Sequence, residues 1–231
     1  MNLLSLPYSR GISSAFAFLV LSAGRLVPSA VAQINYQNYT FITLAGQTTG
    51  WFDGTGSAAL FNTPFGVAVD ASGNLYVADT GNHTIRKVTP GGVATTLAGL
   101  AGSPGTADGN GNVARFNSPG GVAVDGSNNV YVADSLNHTI RKVTPAGVAT
   151  TLAGMPGAAG SADGSGSSAR FNGPQSVAVD AGGNVYVAGW GYNSATQTYT
   201  AAYWMNGTLE TLPLPSGTTG AYSAAIAVST Q

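Results

Sequence analysis

Two histidines, each four residues after an aspartate, are the side chains best suited to chemistry in this sequence. Asp79 precedes His83, and the same spacing joins Asp134 to His138. Two histidines at equivalent positions of adjacent repeats could together bind a metal ion. A catalytic zinc site typically takes three protein ligands, whereas the chain contains only 2 histidines. We therefore predict no metal, no cofactor and no catalytic residue at these positions.

The other titratable residues do not form a recognisable catalytic set. Glu210 is the only glutamate, no cysteine is present, and no serine stands uniquely beside either histidine. The aspartates recur at fixed spacing, as residues of a folding motif would. We therefore predict structural roles for two sets of residues: Asp79, Asn82, Asp134 and Asn137 in a turn, and Asp70, Asp125 and Asp180 at the end of a strand.

A smaller group of residues could contact a ligand at the surface. Two arginines could bind an anion, although we favour a salt bridge with a nearby aspartate. Four aromatic residues that break the repeat, Trp190, Tyr192, Tyr203 and Trp204, could stack on a sugar ring, although we favour packing between blades. With the histidines, the ligand-binding candidates are His83, His138, Arg115, Arg170, Trp190 and Tyr192.

Three glycine-rich segments begin with an aspartate, at Asp53, Asp108 and Asp163. An aspartate followed by polar residues and glycine is typical of calcium loops. Here, however, glycine occupies every second position, where such a loop places oxygen ligands. We therefore favour turn formation over calcium binding.

A repeat of 55 residues positions all of these side chains. Phe-Asn recurs at residues 61, 116 and 171, and Val-Ala-Val-Asp recurs at residues 67, 122 and 177. Each copy divides into four short β runs, and the first two runs are apolar on both faces. Such sheets must be covered by neighbouring sheets, as the blades of a β-propeller are. We predict an all-β fold of four-stranded antiparallel blades, with a parallel β-helix as the structural alternative.

The predicted strands of the first copy are Gly66–Asp70, Asn74–Ala78, Thr84–Val88 and Val93–Leu97, named a to d. Successive antiparallel strands place alternate turns at opposite ends of a blade. The b–c turns and the long connections between blades should therefore lie at the same end. Function usually lies in loops on a rigid scaffold, so this end is the expected binding face.

The turns after strand b resemble the signature of NHL-repeat propellers. Asp79-Thr-Gly-Asn-His-Thr-Ile85 and Asp134-Ser-Leu-Asn-His-Thr-Ile140 carry this resemblance, together with the preceding Gly-Val-Ala-Val-Asp. The resemblance covers residues 38–188 and rests on two full copies. It implies a propeller that binds protein or nucleic acid and that, in a few members, catalyses a reaction.

The repeat predicts complete blades at residues 61–99, 116–154 and 171–212, the last of a divergent type. An isolated strand d is predicted at residues 39–44, and an isolated strand a at residues 224–229. Closed propellers typically have 4–8 blades. We therefore expect the sequence to be truncated at Gln231, which we favour, or several chains to complete a ring together.

The charge balance and the N-terminal segment limit the cellular role. Residues 1–32 combine Arg10, an apolar stretch and a small-x-small cleavage site, as secretory signal peptides do. The chain has 8 basic and 9 acidic residues, and it shows no basic patch. We expect export to the periplasm, the cell surface or the medium, without a nucleic-acid partner and without a membrane span after cleavage.

The expected function is that of an exported, non-catalytic scaffold formed by residues 33–231. It would bind a protein, peptide or glycan through the face that carries the b–c turns and the connections. One alternative is a lyase or hydrolase with a metal-assisted site. The other is a fragment of a longer repeat array that has no ligand of its own.

Overall fold

The computed structural model describes residues 42–193, 198–205 and 208–211, which form three antiparallel sheets. The predicted signal peptide and the predicted strand at residues 224–229 lie outside these residues. The only helices in the described part are short 3-10 turns, and no helix there is long and apolar enough to cross a membrane. The fold class is therefore all-β, with sheets arranged as propeller blades.

The first two blades have the same strand order. In the first blade the order is β1-β5-β4-β3-β2, and in the second it is β6-β10-β9-β8-β7. The strands of the first blade are β1 (Gly54–Thr55), β2 (Pro64–Val69), β3 (Leu75–Asp79), β4 (Thr84–Val88) and β5 (Val93–Ala98). Those of the second are β6 (Gly109–Asn110), β7 (Pro119–Val124), β8 (Val130–Asp134), β9 (Thr139–Val143) and β10 (Val148–Ala153).

The third blade differs from the first two in its central hairpin. Its order is β11-β12-β13-β14, with β11 (Ser176–Val179), β12 (Val185–Asn193), β13 (Thr198–Met205) and β14 (Thr208–Thr211). Strand β12 is 9 residues long, whereas β3 and β8 have 5 residues each. The register pairs Tyr186 with Met205 and extends to Asn193 opposite Thr198. The divergent residues after Ala188 therefore extend the β12–β13 hairpin beyond the length of its equivalents in the first two blades.

A short fifth strand is a feature that the repeat did not predict. In the connection before each of the first two blades, two residues pair with the outer strand, as Gly54 does with Ala94. The equivalent pair is Gly109 with Ala149. The connection therefore crosses the outer edge of the blade instead of remaining at one end of it. A two-residue strand has too little periodicity to be recognised in a glycine-rich segment.

Residues 42–44, the described part of the predicted isolated strand at 39–44, are not assigned to a strand. Leu44 nevertheless packs on the core formed by Ala59, Val88 and Ala94. Its carbonyl oxygen lies 2.7 Å from the position of a Cβ built on Gly92, much as the Leu97 carbonyl lies 2.5 Å from that of Gly147. Leu44 therefore lies against the first blade as Leu97, near the end of strand β5, lies against the second blade. A strand assignment requires a paired neighbour, and none is present among the described residues.

The hydrophobic core lies between blades. Tyr76, Ala78 and Ile85 of the first blade share one buried cluster with Val130 and Val132 of the second. The second and third blades repeat this arrangement with Tyr131, Ala133, Ile140, Phe171 and Val187. The outer face of the first blade is uncovered: Val67 is 62% exposed, whereas its equivalent Val122 is 8% exposed. Each blade thus depends on its neighbour for burial of its apolar faces.

Candidate functional site

The b–c turn of each NHL-like copy is a short 3-10 turn that ends in a histidine. Thr80–Asn82 form the turn in the first blade, and His83 closes it with a φ of 58°. Ser135–Asn137 and His138 repeat the geometry, with a φ of 59° at the histidine. A non-glycine residue in this left-handed region carries backbone strain, which the surrounding hydrogen bonds must offset.

Asp79 anchors the turn from inside the blade. Its Oδ1 accepts a 2.7 Å hydrogen bond from the backbone N–H of Asn62. Its Oδ2 accepts one from Asn82 Nδ2 at 2.7 Å and one from Arg86 Nη1 at 3.0 Å. The side chain is fully buried. Asp134 has the equivalent donors, which are Asn117, Asn137 and Arg141.

Arg86 joins this turn to the preceding connection. Its Nη1 also donates to the Leu60 carbonyl oxygen at 2.9 Å, and its Nη2 donates to the Phe52 carbonyl at 3.0 Å. Nη2 makes a further ion pair with Asp53 at 2.9 Å. The guanidinium carbon lies 4.8 Å from the centre of the Phe61 ring. Arg86 therefore connects its own strand to three other segments of the chain: Phe52–Asp53, Leu60–Phe61 and Asp79.

Arg141 repeats these contacts in the second blade, including an ion pair with Asp108 at 2.7 Å. Sequence reasoning did not single out either arginine. The available signal was their position in the unchanged Thr-Ile-Arg-Lys-Val strand, because a cation kept at the same place in each copy needs a matching anion in each copy.

Burial dominates the electrostatics of this cluster. Burial raises the pKa of Asp79 above its usual value, although the hydrogen bonds from Asn82, Asn62 and Arg86 oppose that effect. Burial likewise raises the pKa of Asp134 to about 6. Removing a carboxylate from water disfavours its charged form, and the guanidinium and amide donors restore part of the loss. The cluster is therefore a structural ion pair whose oxygens are already occupied.

The histidines link consecutive repeats. Nδ1 of His83 accepts a 3.0 Å hydrogen bond from the backbone N–H of Ser118, 35 residues further along the chain. Nδ1 of His138 accepts the equivalent bond from Gly173 at 3.0 Å. In the neutral ring the proton therefore resides on Nε2. Burial lowers the pKa of His83. Neither histidine is hydrogen-bonded to the aspartate four residues before it.

The aspartates after strand a form a second repeated network. Asp70 Oδ1 accepts hydrogen bonds from the backbone of Ser72 and Asn74, both at 2.9 Å. Its Oδ2 accepts bonds from Asn74 Nδ2 at 2.8 Å and from the Tyr76 hydroxyl at 3.2 Å. The side-chain bond from Asn74 contributes most to the lowering of the Asp70 pKa. Asp125 and Asp180 make the same contacts with Asn129, Tyr131, Asn184 and Tyr186.

The favoured salt bridges of Arg115 and Arg170 are wrong. Nη1 of Arg115 instead donates to the backbone carbonyls of Asn112, Val113 and Ala114. Arg170 donates to the carbonyls of Ser167 and Ala169, and it contacts Met155 Sδ at 3.5 Å. Each guanidinium folds back onto the 3-10 turn before it because the unpaired carbonyls of that turn are closer than any carboxylate. All four ion pairs of the described residues use Arg86 or Arg141.

Trp190 and Tyr192 lie in strand β12, opposite Ala201 and Tyr199 of β13. Their side chains lie outside the part of the chain for which side-chain placement is described. The proposal that they contact a ligand therefore stays a prediction.

The structure shows an aromatic pair that sequence reasoning missed. Trp51 and Phe52 stack on each other with ring centres 4.4 Å apart, and each is 55% exposed. Their backbone is held in place: Asn82 Nδ2 donates to the Gly50 carbonyl at 2.6 Å, and the Phe52 carbonyl accepts from Arg86. The available signal was the break in the repeat, because the second copy has Thr106 and Ala107 at these positions.

The aspartates, asparagines and histidines of the b–c turns are therefore engaged in structural bonds, while the connection before the first blade presents Trp51 and Phe52 to solvent. Hydrogen bonds join each b–c turn to both neighbouring connections, as Gly81 N does to Asn62 O at 2.9 Å and Gly102 N to Asn82 O at 3.3 Å. Among the described residues, no three His, Asp or Glu side chains come together as a metal site would require. The arrangement can hold a rigid surface for a partner, with an exposed aromatic pair on one connection.

Comparison with known proteins identifies the repeat. The NHL repeat profile matches residues 61–88 and 116–143. NHL repeat-containing protein 2 of Gallus gallus is 43% identical over 95 residues, which are 40% of this chain and 13% of that protein. The chloroplastic protein SUPPRESSOR OF QUENCHING 1 of Arabidopsis thaliana is 36% identical over 92 residues, 39% of this chain and 9% of that protein.

A solved structure of a protein of unknown function from Bacteroides thetaiotaomicron is also similar. It aligns with a TM-score of 0.50 and 28% identity over 54% of this chain and 32% of that chain. The residues that match the NHL profile contain strands β2 to β4 and β7 to β9. The chain therefore carries two NHL repeats, each of which supplies the inner strands of one β-propeller blade.

Proposed function

We propose that this protein is an exported, non-catalytic NHL-repeat scaffold that binds a protein, peptide or glycan. The binding surface would comprise the b–c turns and the connections between blades. Two features support this proposal: the aspartates and histidines of the b–c turns are engaged in structural bonds, and hydrogen bonds join these turns to the neighbouring connections. A surface of this kind can position contacts without taking part in a reaction.

The exposed Trp51–Phe52 pair is the observation that carries the proposal. Large aromatic side chains at the surface supply contact area for peptides and stacking faces for sugar rings. Two such rings in contact, each more than half exposed, leave a sizeable apolar area in water. Because Arg86 and Asn82 hold the backbone beneath them, the rings lose little conformational freedom when a partner binds.

Binding to glycan and peptide arrays tests the proposal. The unmodified protein is compared with a variant that carries residues of the second copy in the first. The Trp51→Thr, Phe52→Ala double variant has the residues that the second copy carries at equivalent positions, so the fold should be retained. We expect the variant to lose at least about tenfold in affinity, as loss of aromatic anchors at a binding surface does. Equal binding by the two proteins would refute this surface as the site.

The alternative of a lyase or hydrolase can be examined with the same preparations. The protein would be assayed for lyase and lactonase turnover with added calcium or zinc, before and after substitution of His83 or His138. The proposal expects no turnover above buffer. Turnover that disappears when either histidine is replaced would establish the enzyme in place of the scaffold.

Export is proposed from residues 1–32. A reporter that is active only outside the cytoplasm would be fused after Gln231, in chains with and without these residues. Activity should require residues 1–32, and mass spectrometry of the exported chain should place the new N-terminus near Gln33. An active reporter without this segment, or an intact N-terminus, would contradict the proposal.

Self-association is proposed from the uncovered face of the first blade. Phe65, Val67 and Val69 are each more than half exposed along β2. Light scattering of the processed chain should therefore detect assemblies that grow with concentration. A monodisperse monomer at all concentrations would rule out ring completion by copies of this chain.

A further inference from the structure

The interface between the second and third blades contains a cavity of about 310 Å³. Its walls are mainly apolar, and Tyr131, Ile140, Leu152, Val185 and Val187 contribute to them. Lys142 also lines the space, where its ammonium lies 5.7 Å from the centre of the Tyr131 ring. The volume falls at the lower end of the range of about 300–1,000 Å³ found for small-molecule sites.

The first interface has equivalent residues on the side of the earlier blade. The residues contributed by the earlier blade are of the same types at both interfaces: Tyr76, Ile85, Lys87 and Leu97 correspond to Tyr131, Ile140, Lys142 and Leu152. Any difference between the two interfaces must therefore arise in the later blade.

In the second blade, Val130 pairs with Val143, and Val143 pairs with Ala149. All three are buried in the core of the first interface, together with Tyr76 and Ile85. The outer hairpin of this blade extends four residues, 144–147, beyond Val143 before β10 begins.

The outer hairpin of the third blade is shorter at the same end. Strand β13 ends at Met205 opposite Tyr186, and β14 begins at Thr208, so two residues separate the strands. The a–b turn is also smaller, because Gly183 stands where the second blade has Asn128. A Cβ built on Gly183 would meet no atom within 4 Å. Gly183 lines the cavity, where it contributes no side chain.

Lys142 gives the cavity a charge preference. Among the described residues, every ion pair uses Arg86 or Arg141, so the ammonium of Lys142 has no carboxylate partner there. Gly166 lines the cavity as well. A cation at the edge of an apolar space is complementary to an acid with an apolar tail.

We infer that this inter-blade cavity binds a small apolar carboxylate, with its tail among Ile140, Leu152 and Val185 and its carboxylate at Lys142. The site is separate from the surface around Trp51 and Phe52, so it is independent of the proposed function. On the side of the third blade it is lined by Gly183, Val185 and Val187.

Methyl NMR of the full chain tests the inference, with octanoate and 1-octanol as probes. Octanoate should shift the methyl signals of Ile140, Leu152 and Val185 in a saturable manner, and it should leave Ile85 and Leu97 unchanged. Lys142→Gln should weaken octanoate binding by about tenfold, as loss of a charge-assisted hydrogen bond does, without weakening 1-octanol. The matched control Lys87→Gln, at the equivalent position of the first interface, should affect neither probe.

A second variant separates occupation of the cavity from charge at its edge. Leu152→Trp should fill the space and abolish the shifts caused by both probes, while the unaffected signals of Ile85 and Leu97 report an intact fold. Absence of saturable shifts at Ile140 and Val185 in the unmodified protein would overturn the inference. Equal affinity of octanoate for the unmodified chain and Lys142→Gln would overturn it as well.

Discussion

Asp134 Oδ2 and Arg141 Nη1 form a 3.0 Å ion pair inside the second blade, and the two side chains are 0% and 1% exposed. The same guanidinium pairs with Asp108 at 2.7 Å, although that carboxylate is 49% exposed. One arginine thus holds a buried and a half-exposed partner at once. The first blade repeats this relationship with Arg86, Asp79 and Asp53.

This shared arginine allows the buried and exposed pairs to be compared in one protein. Asp134→Asn should lower the free energy of unfolding by about 3–5 kcal/mol, because it leaves a buried cation without its main counter-charge. The control Asp108→Asn should lower it by at most about 1 kcal/mol, because solvent screens the exposed pair. Urea denaturation measures both values. Similar losses for the two variants would contradict the assignment of Asp134 as the dominant partner.

Glycine at the start of strand a sets the distance between blades. The N–H of Gly121 donates to the Gln175 carbonyl at 2.7 Å, and a Cβ built on Gly121 would lie 2.6 Å from the same oxygen. Gly121→Ala should therefore separate the blades and lower the free energy of unfolding by about 1–3 kcal/mol.

Gly126→Ala is the matched control for this substitution. A Cβ at Gly126 meets no atom within 4 Å, and the other two copies have Ala71 and Ala181 at this position. Its effect should remain within about 0.5 kcal/mol. If both glycine variants behave alike in thermal and urea unfolding, close packing of the blades is not what requires Gly121.

His83 should make stability depend on pH near neutrality. Burial lowers its pKa in the folded state, so the unfolded chain binds a proton first as the pH falls. The contribution of His83 to folding stability is therefore complete above pH 6.5, the ordinary pKa of histidine. It is lost as the pH falls through the lower pKa of the folded state. Protonation of Nδ1 would also remove the acceptor for the Ser118 N–H.

The variant His83→Asn isolates this effect, since asparagine tolerates the left-handed conformation of the turn. The free energy of unfolding would be measured from pH 7.5 down to pH 5 for both proteins. The unmodified protein should lose more stability over this range than the variant. Parallel curves would show that His83 does not titrate differently in the folded and unfolded states.

The aromatic pair should be dispensable for folding. Arg86 binds the carbonyl of Phe52 rather than its ring, and both rings are largely in solvent. Trp51→Thr, Phe52→Ala should thus change the free energy of unfolding by no more than about 0.5 kcal/mol. A loss of several kcal/mol in urea denaturation would place the rings in the core and remove them as a binding surface.

Local patterns predicted most of the strands. The bounds of strand c, Thr84–Val88 and Thr139–Val143, agree with the structure, and those of strands a and b in the first two copies differ by one or two residues. Apolar runs between glycine-containing turns are sufficient for this, because strand and turn preferences depend on neighbouring residues. The structural role of the turn aspartates Asp70, Asp125 and Asp180 also follows from local sequence, because their hydrogen-bond donors lie within six residues.

The sequence by itself determined the repeat, the strand content and the all-β class, because each depends on the order of nearby residues. Only the tertiary structure decided which cations are buried: Arg86 meets Asp53 across 33 residues, whereas Arg115 folds back on its own turn. It also decided that Trp51 and Phe52 are exposed and that a cavity lies between the second and third blades. Burial and ion pairing depend on which distant segments meet, and residue type and local spacing do not contain that information.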